Sequence, residues 1–182
     1  MNYLATEFEG VWIIEPKIFK DERGYFMEFF KKAEFEKQIG FVSFIQENES
    51  QSAKNVLRGL HYQKGDFSQA KLVRVIQGEV LDVVVDLRKS SRTFGRSLQV
   101  KLSGENKRQL YVPKGFAHGF AVLSEKAILA YKVDAPYAPQ SEVTIAYNDK
   151  NLAIDWPIEK EHVILSEKDQ KGIAFAAAPY FD

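Results

Sequence analysis

Cysteine is absent from all 182 residues, which excludes disulfides, thiolate metal ligands and a thiol nucleophile. Histidine is scarce, with three in the chain. Net charge is missing too, since 25 Lys and Arg offset 25 Asp and Glu. Binding to nucleic acid through its phosphates needs a cationic surplus, so a nucleic-acid partner is not expected. Nor is there a long apolar run. The longest stretches without a charged residue, Gly115–Ser124 and Gly172–Phe181, are ten residues each, against the roughly 20 that a membrane-spanning helix needs. Residues 1–10 carry Glu7 and Glu9 where a secretory leader would be basic and then apolar. The expectation is a cytoplasmic protein without a membrane partner.

Of what is present, 45% hydrophobic and 27% charged residues match a folded globular chain rather than a disordered one. At this length, with no linker-like tract and no internal repeat, one domain over residues 1–182 is expected. Aromatic enrichment (14 Phe, 8 Tyr, 2 Trp) leans toward strand. Short apolar runs between turn residues predict strands at Val11–Ile14, Phe26–Phe30, Val42–Gln46, Val56–Gln63, Leu98–Leu102, Gln109–Val112, Gly119–Leu123, Ile128–Val133 and Val143–Tyr147. Leu72–Leu87, broken at Gln77-Gly78-Glu79, reads as a hairpin. Only two helices are expected, Lys32–Ile39 stopped by Gly40, and a short turn Glu167–Lys171 introduced by Ser166. Strands about ten residues apart without intervening helices predict a mainly β, antiparallel sandwich or barrel, with the chain from Pro136 onward wrapping it.

Three features bear on chemistry. Pro113-Lys114-Gly115-Phe116-Ala117-His118 is a turn that delivers an imidazole to the start of a strand, facing the barrel interior, and it matches the second cupin motif. The matching first region, Arg58-Gly59-Leu60-His61-Tyr62-Gln63, keeps one histidine but lacks the other ligands. Three histidines in all, with His162 in the irregular tail, argue against a transition-metal site. His61 and His118 then serve either as core hydrogen-bonders or as acid–base groups, an unperturbed imidazole titrating near ~6.5. Between Lys54 and Arg74 five cations (Lys54, Arg58, Lys64, Lys71, Arg74) face one anion, Asp66. Strict alternation would put Arg58 and His61 on opposite faces of their strand unless a bulge intervenes.

The blocks Asp21–Glu28, Gln46–Ser50, Val56–Gln63, Lys71–Glu79, Pro113–Phe120 and Leu165–Asp169 stand together in order, and through them the chain closely resembles the dTDP-4-dehydrorhamnose 3,5-epimerase family over almost its whole length. The resemblance implies a cupin-type jelly-roll barrel, usually a homodimer with exchanged N-terminal strands, that needs no metal or other cofactor and acts on a dTDP-4-keto-6-deoxyhexose. It implies His61 as general base, Asp169 as the carboxylate that orients it, Tyr131 as general acid and Lys71 beside the substrate keto oxygen. Asp169 also has a plain structural reading, because Ser166 to Asp169 has capping-box spacing. Arg23, Glu28, Gln46, Asn48, Arg58, His118, Glu142 and Lys168 match substrate-contacting positions. Tyr137, and Phe26 from a partner chain, match groups that stack on thymine. The chain departs from the family pattern at Glu49 and Pro136, positions that bear on nucleotide preference and on the C3/C5 outcome.

Overall fold

The computed structural model describes residues 1–182. In chain order the elements are β1 (Asn2–Ala5), β2 (Trp12–Glu15), β3 (Ile18–Asp21), β4 (Gly24–Met27), α1 (Lys32–Gln38), β5 (Gln46–Ala53), β6 (Leu57–Gln63), β7 (Lys71–Gln77), β8 (Glu79–Asp86), β9 (Ser97–Ser103), β10 (Gln109–Val112), β11 (Phe116–Val122), β12 (Lys126–Val133), β13 (Glu142–Thr144) and α2 (Glu167–Gln170). Two antiparallel sheets face each other, one ordered β1-β2-β10-β7-β12-β5 and the other β13-β6-β11-β8-β9; β3 and β4 pair only with each other. This is the expected jelly roll. No helix is long and apolar enough to cross a membrane.

Period-two alternation explains the layering. Val73 and Val75 of β7, Val80 and Val84 of β8, Phe116 and Phe120 of β11 and Leu129 of β12 fill the space between the sheets. Their alternating neighbours feed two outer clusters. Val83, Val85 and Ala117 join Leu60 and Tyr62 under Leu152, Trp156, Phe175 and Phe181, so the C-terminal third wraps the five-stranded sheet. Leu72 and Tyr111 join Ile14 and Phe35 on the other side. Seven residues are too few to hold α1 as an isolated helix. It persists because Phe35 docks against Phe30, Phe44 and Tyr111 at centroid distances of 5.5, 5.6 and 5.2 Å. Burying such a ring is worth about 2–3 kcal/mol.

Several local expectations are corrected. Leu72–Leu87 is not a hairpin: β7 pairs with β10 and β12 while β8 pairs with β11 and β9, so Gly78 carries the chain from one sheet to the other. A Gly turn signals that the chain reverses, but it does not say which strand becomes the partner. Gly78 has φ +82°, and a Cβ there would collide with the backbone at Lys126 and Ala127. Val42–Ile45 is not strand; pairing begins at Gln46 and runs to Ala53 along β12. That strand lies at a sheet edge with much of it exposed, so its polar sequence has no apolar alternation to announce it. Ile18–Asp21 and Asn2–Ala5 are likewise strands that the apolar pattern does not mark. Phe26–Phe30 shifts to Gly24–Met27, and Val143–Tyr147 shortens to Glu142–Thr144.

Candidate active site

A cavity of about 400 Å³ opens between the two sheets. Its lining includes Arg58, His61 and His118 from the five-stranded side, and Gln46, Asn48, Lys71 and Tyr131 from the six-stranded side. Tyr137, Glu142 and Lys168 complete it from the C-terminal segments.

Arg58 and His61 share the cavity because β6 carries a bulge. His61 pairs with His118 and Arg58 with Phe120, so two residues of β6 stand opposite the single Gly119. The extra residue rotates Arg58 inward. Only glycines allow it: Gly59 has φ +130°, and a Cβ on it would sit 2.5 Å from the Gly119 Cα. The Arg58 guanidinium leans on β5, donating to Ser52 Oγ at 3.1 Å.

His61, 21% exposed at its side chain, has Nε2 2.6 Å from Asp169 Oδ1, an oblique approach that leaves Nε2 without a linear hydrogen bond. With Nε2 turned to the carboxylate, Nδ1 is the nitrogen left to act as a base. Asp169 does not line the cavity; it is buried behind the imidazole. Its contacts are those of a helix cap and of a histidine neighbour at once. Its N–H donates to Ser166 Oγ at 3.2 Å, capping α2, while its Oδ1 accepts from the Gly59 N–H at 3.2 Å and its Oδ2 from the Ser166 hydroxyl at 2.6 Å. Burial pushes the carboxyl upward, but His61, Ser166 and the Gly59 N–H outweigh it and hold Asp169 below the usual carboxylate range.

A second pair lies deeper. His118 Nε2 sits 2.9 Å from both oxygens of Asp82, a fully buried β8 carboxylate with no other hydrogen-bond partner. The sequence reading did not single out Asp82, although a carboxylate inside the apolar run Val80–Val85 was the available signal. Its charge also acts on Lys71. Burial drives that ammonium down to about 8; Asp82 and Glu142 pull it back up, and Lys168 adds repulsion. Lys71 lines the cavity and is half-buried, so it keeps some solvent contact. Tyr131 is moved the other way: burial raises it, against the hydrogen bond to Asn48 and the Arg58 charge, so the phenol stays protonated.

At the mouth, Glu142 accepts from Lys168 Nζ at 2.7 Å and from the Tyr137 hydroxyl at 2.8 Å. Burial raises the Glu142 carboxyl, yet these two donors lower it overall and keep it ionised. The lining thus carries three cations, Arg58, Lys71 and Lys168, against one carboxylate, which suits a small anionic ligand. Of the five cations between Lys54 and Arg74, only Arg58 and Lys71 reach it. Lys54 pairs with Glu125, and Arg74 stacks over Phe29 on the outer face.

Arg23, Phe26 and Glu28 do not line the cavity of their own chain. Arg23 pairs with Asp21 at the tip of the β3–β4 hairpin, Phe26 is 65% exposed, and Glu28 pairs with Lys31. His162 also lies elsewhere, exposed and beside Glu159. Gln63, Gln69 and Ser50 also line the cavity, although the family resemblance assigns them no role.

Fold and cavity together define the class: a jelly-roll barrel of the cupin type, with a histidine–carboxylate pair on one wall and a protonated tyrosine and a lysine on the other. Comparison with known proteins gives the family. The model for dTDP-4-dehydrorhamnose 3,5-epimerase matches residues 5–177, and the chain belongs to that family. It is 52% identical over 182 residues to the dTDP-4-dehydrorhamnose 3,5-epimerase of Shigella flexneri, covering 100% of this chain and 99% of the relative. The crystal structure of dTDP-4-dehydrorhamnose 3,5-epimerase from Elizabethkingia anophelis superposes with TM-score 0.94 at 50% identity, over 99% of each chain. That of dTDP-6-deoxy-D-glucose-3,5-epimerase RmlC from Legionella pneumophila, in complex with dTDP-4-keto-L-rhamnose, gives 0.93 at 50% identity, over 98% of this chain and 94% of the other.

Proposed function

We propose that this protein inverts C3 and C5 of dTDP-4-dehydro-6-deoxy-D-glucose, giving dTDP-4-dehydro-L-rhamnose by proton transfer through an enolate, in the cytoplasm and without a cofactor. The observation that carries the reading is that base and acid stand on opposite walls: His61 on β6 of one sheet and Tyr131 on β12 of the other, in one cavity. Inversion at carbon requires a proton to leave one face and arrive at the other, and a sugar between the sheets meets both groups. His61 Nδ1 takes the proton next to the C4 carbonyl and the C–H electron pair moves into the carbonyl. The charge that develops on the C4 oxygen is stabilised by Lys71. Tyr131 then donates its proton to the carbon from the opposite face, and solvent restores both side chains before the second centre reacts. Arg58, with Gln46, Asn48, His118, Glu142 and Lys168, holds the diphosphate and sugar, and Tyr137 stacks on the base.

The isolated β3–β4 hairpin, with Phe19, Tyr25 and Phe26 exposed, supports a homodimer with exchanged N-terminal strands, in which Arg23, Phe26 and Glu28 complete the cavity of a second copy. Sedimentation equilibrium should give twice the chain mass; a monomer would remove that part of the reading. For the reaction, turnover in D₂O should place deuterium at both C3 and C5 of the product. Label confined to C3 would refute the double inversion, and binding without exchange would refute catalysis.

A further inference from the structure

Tyr137 is 56% exposed and sits in the irregular stretch between β12 and β13, so ring packing does little to place it. Its backbone is nevertheless tightly held, and by one side chain. Gln63, the last residue of β6, is 4% exposed. Its Nε2 donates to Pro136 O at 3.0 Å and to Phe67 O at 2.7 Å, while its Oε1 accepts from the Ala138 N–H at 2.6 Å. The residues immediately before and after Tyr137 are therefore tied to the same amide. Both donors of that amide are used, and its carbonyl is used as well. Turned over, the amide would set its oxygen against two carbonyls and its NH₂ against an N–H, so only one orientation closes the clamp. Gln69 adds a neighbouring tie, Nε2 to Ala135 O at 2.7 Å. Pro136 has no N–H, so this loop has fewer bonds of its own with which to fix its course.

We propose that Gln63 is the positioning residue for Tyr137 and thereby sets affinity for the nucleotide end of the ligand, separately from proton transfer. The proposal rests on the reading of Tyr137 as the base contact. It assigns the final glutamine of the Arg58–Gln63 block a task distinct from that of His61 two residues earlier. Without the clamp the ring keeps only the bond from its hydroxyl to Glu142 at 2.8 Å, the backbone on both sides of it is released, and the lost ordering has to be supplied on binding.

The test uses Gln63→Leu, Tyr137→Ala and the double variant in the full-length protein, with dTDP as the probe in calorimetry and the epimerisation assay for kcat and KM. Gln63→Leu should weaken dTDP binding and raise KM by about three- to tenfold, the range a lost aromatic contact gives, with kcat within about threefold. Tyr137→Ala should do the same, and the double variant should bind no more weakly than Tyr137→Ala alone, since the clamp has nothing left to position. If Gln63→Leu does not fold, Gln63→Glu preserves the volume and the bond from Ala138 while removing both donors, and should show the same pattern. Unchanged dTDP affinity in the Gln63 variants, a fall in kcat as large as the rise in KM, or additive losses in the double variant would each overturn the proposal. If Tyr137→Ala itself leaves dTDP binding unchanged, the base-contact reading fails first and takes the proposal with it.

Discussion

Replacing Lys71 with methionine should make this protein more stable and almost inactive at once. The amine falls from an ordinary 10.5 to about 8 chiefly because burial disfavours its charge. That displacement corresponds to about 3 kcal/mol of extra cost for the ammonium in the folded state. The pull of Asp82 and Glu142 is already contained in it, so methionine, of similar length, removes the whole penalty; water in the cavity makes about 3 kcal/mol an upper bound. The sign follows from proton counts. Between pH 8 and 10.5 the unfolded chain still binds a proton that the folded Lys71 has lost, so wild-type stability rises with pH through that window relative to the variant. Below pH 8 the full cost is present, and above 10.5 it is gone. For a chain of this size about 3 kcal/mol is a melting difference of roughly 6–12 °C. Thermal melts of both proteins at equal concentration, from pH 6 to 11, should show the variant ahead at pH 7 and the gap closing above pH 8. A variant that melts at or below wild type at pH 7, or a gap independent of pH, would refute the electrostatic account. In the same variant kcat should fall by about 10²–10³-fold, the worth of one oxyanion stabiliser.

Other outcomes follow from the same geometry. Wild-type kcat/KM should decline as pH rises through about 8, because the enolate needs the protonated lysine, and Asp82→Asn should move that decline to lower pH by removing the charge that holds Lys71 up. His61→Gln should lower kcat by about 10²–10⁴-fold while calorimetric dTDP affinity stays within a few-fold. Tyr131→Phe should do likewise, and if solvent deuterium still enters at the position facing His61, the two groups act on opposite faces as proposed. Gly59→Ala should cost several kcal/mol in urea unfolding, since the Cβ meets the Gly119 backbone at 2.5 Å in a left-handed conformation.

Short apolar runs at regular spacing point to a mainly β barrel, and the six blocks that carry the resemblance point to the family and, through it, to most of the cavity lining. Apolar alternation marked the strands buried on at least one face. It missed β5 because an edge strand with polar faces leaves no such trace. What depended on tertiary structure was partner choice. Gly78 marks a reversal, but only the packing of two sheets makes that reversal a passage between them. Arg58 and His61 lie on opposite faces by simple alternation, and the bulge against Gly119 brings them into one cavity. Asp169 reads along the chain either as a cap or as the partner of His61, and in the folded chain it caps α2 and stands 2.6 Å from His61 Nε2. Asp82 gains meaning only when β11 lays His118 across it and β7 brings Lys71 within range of its charge. The physical reason is one of range. Side-chain alternation and turn chemistry are set by covalent neighbours and can be read along the chain, whereas the protonation and orientation of buried groups depend on residues that only sheet packing brings together.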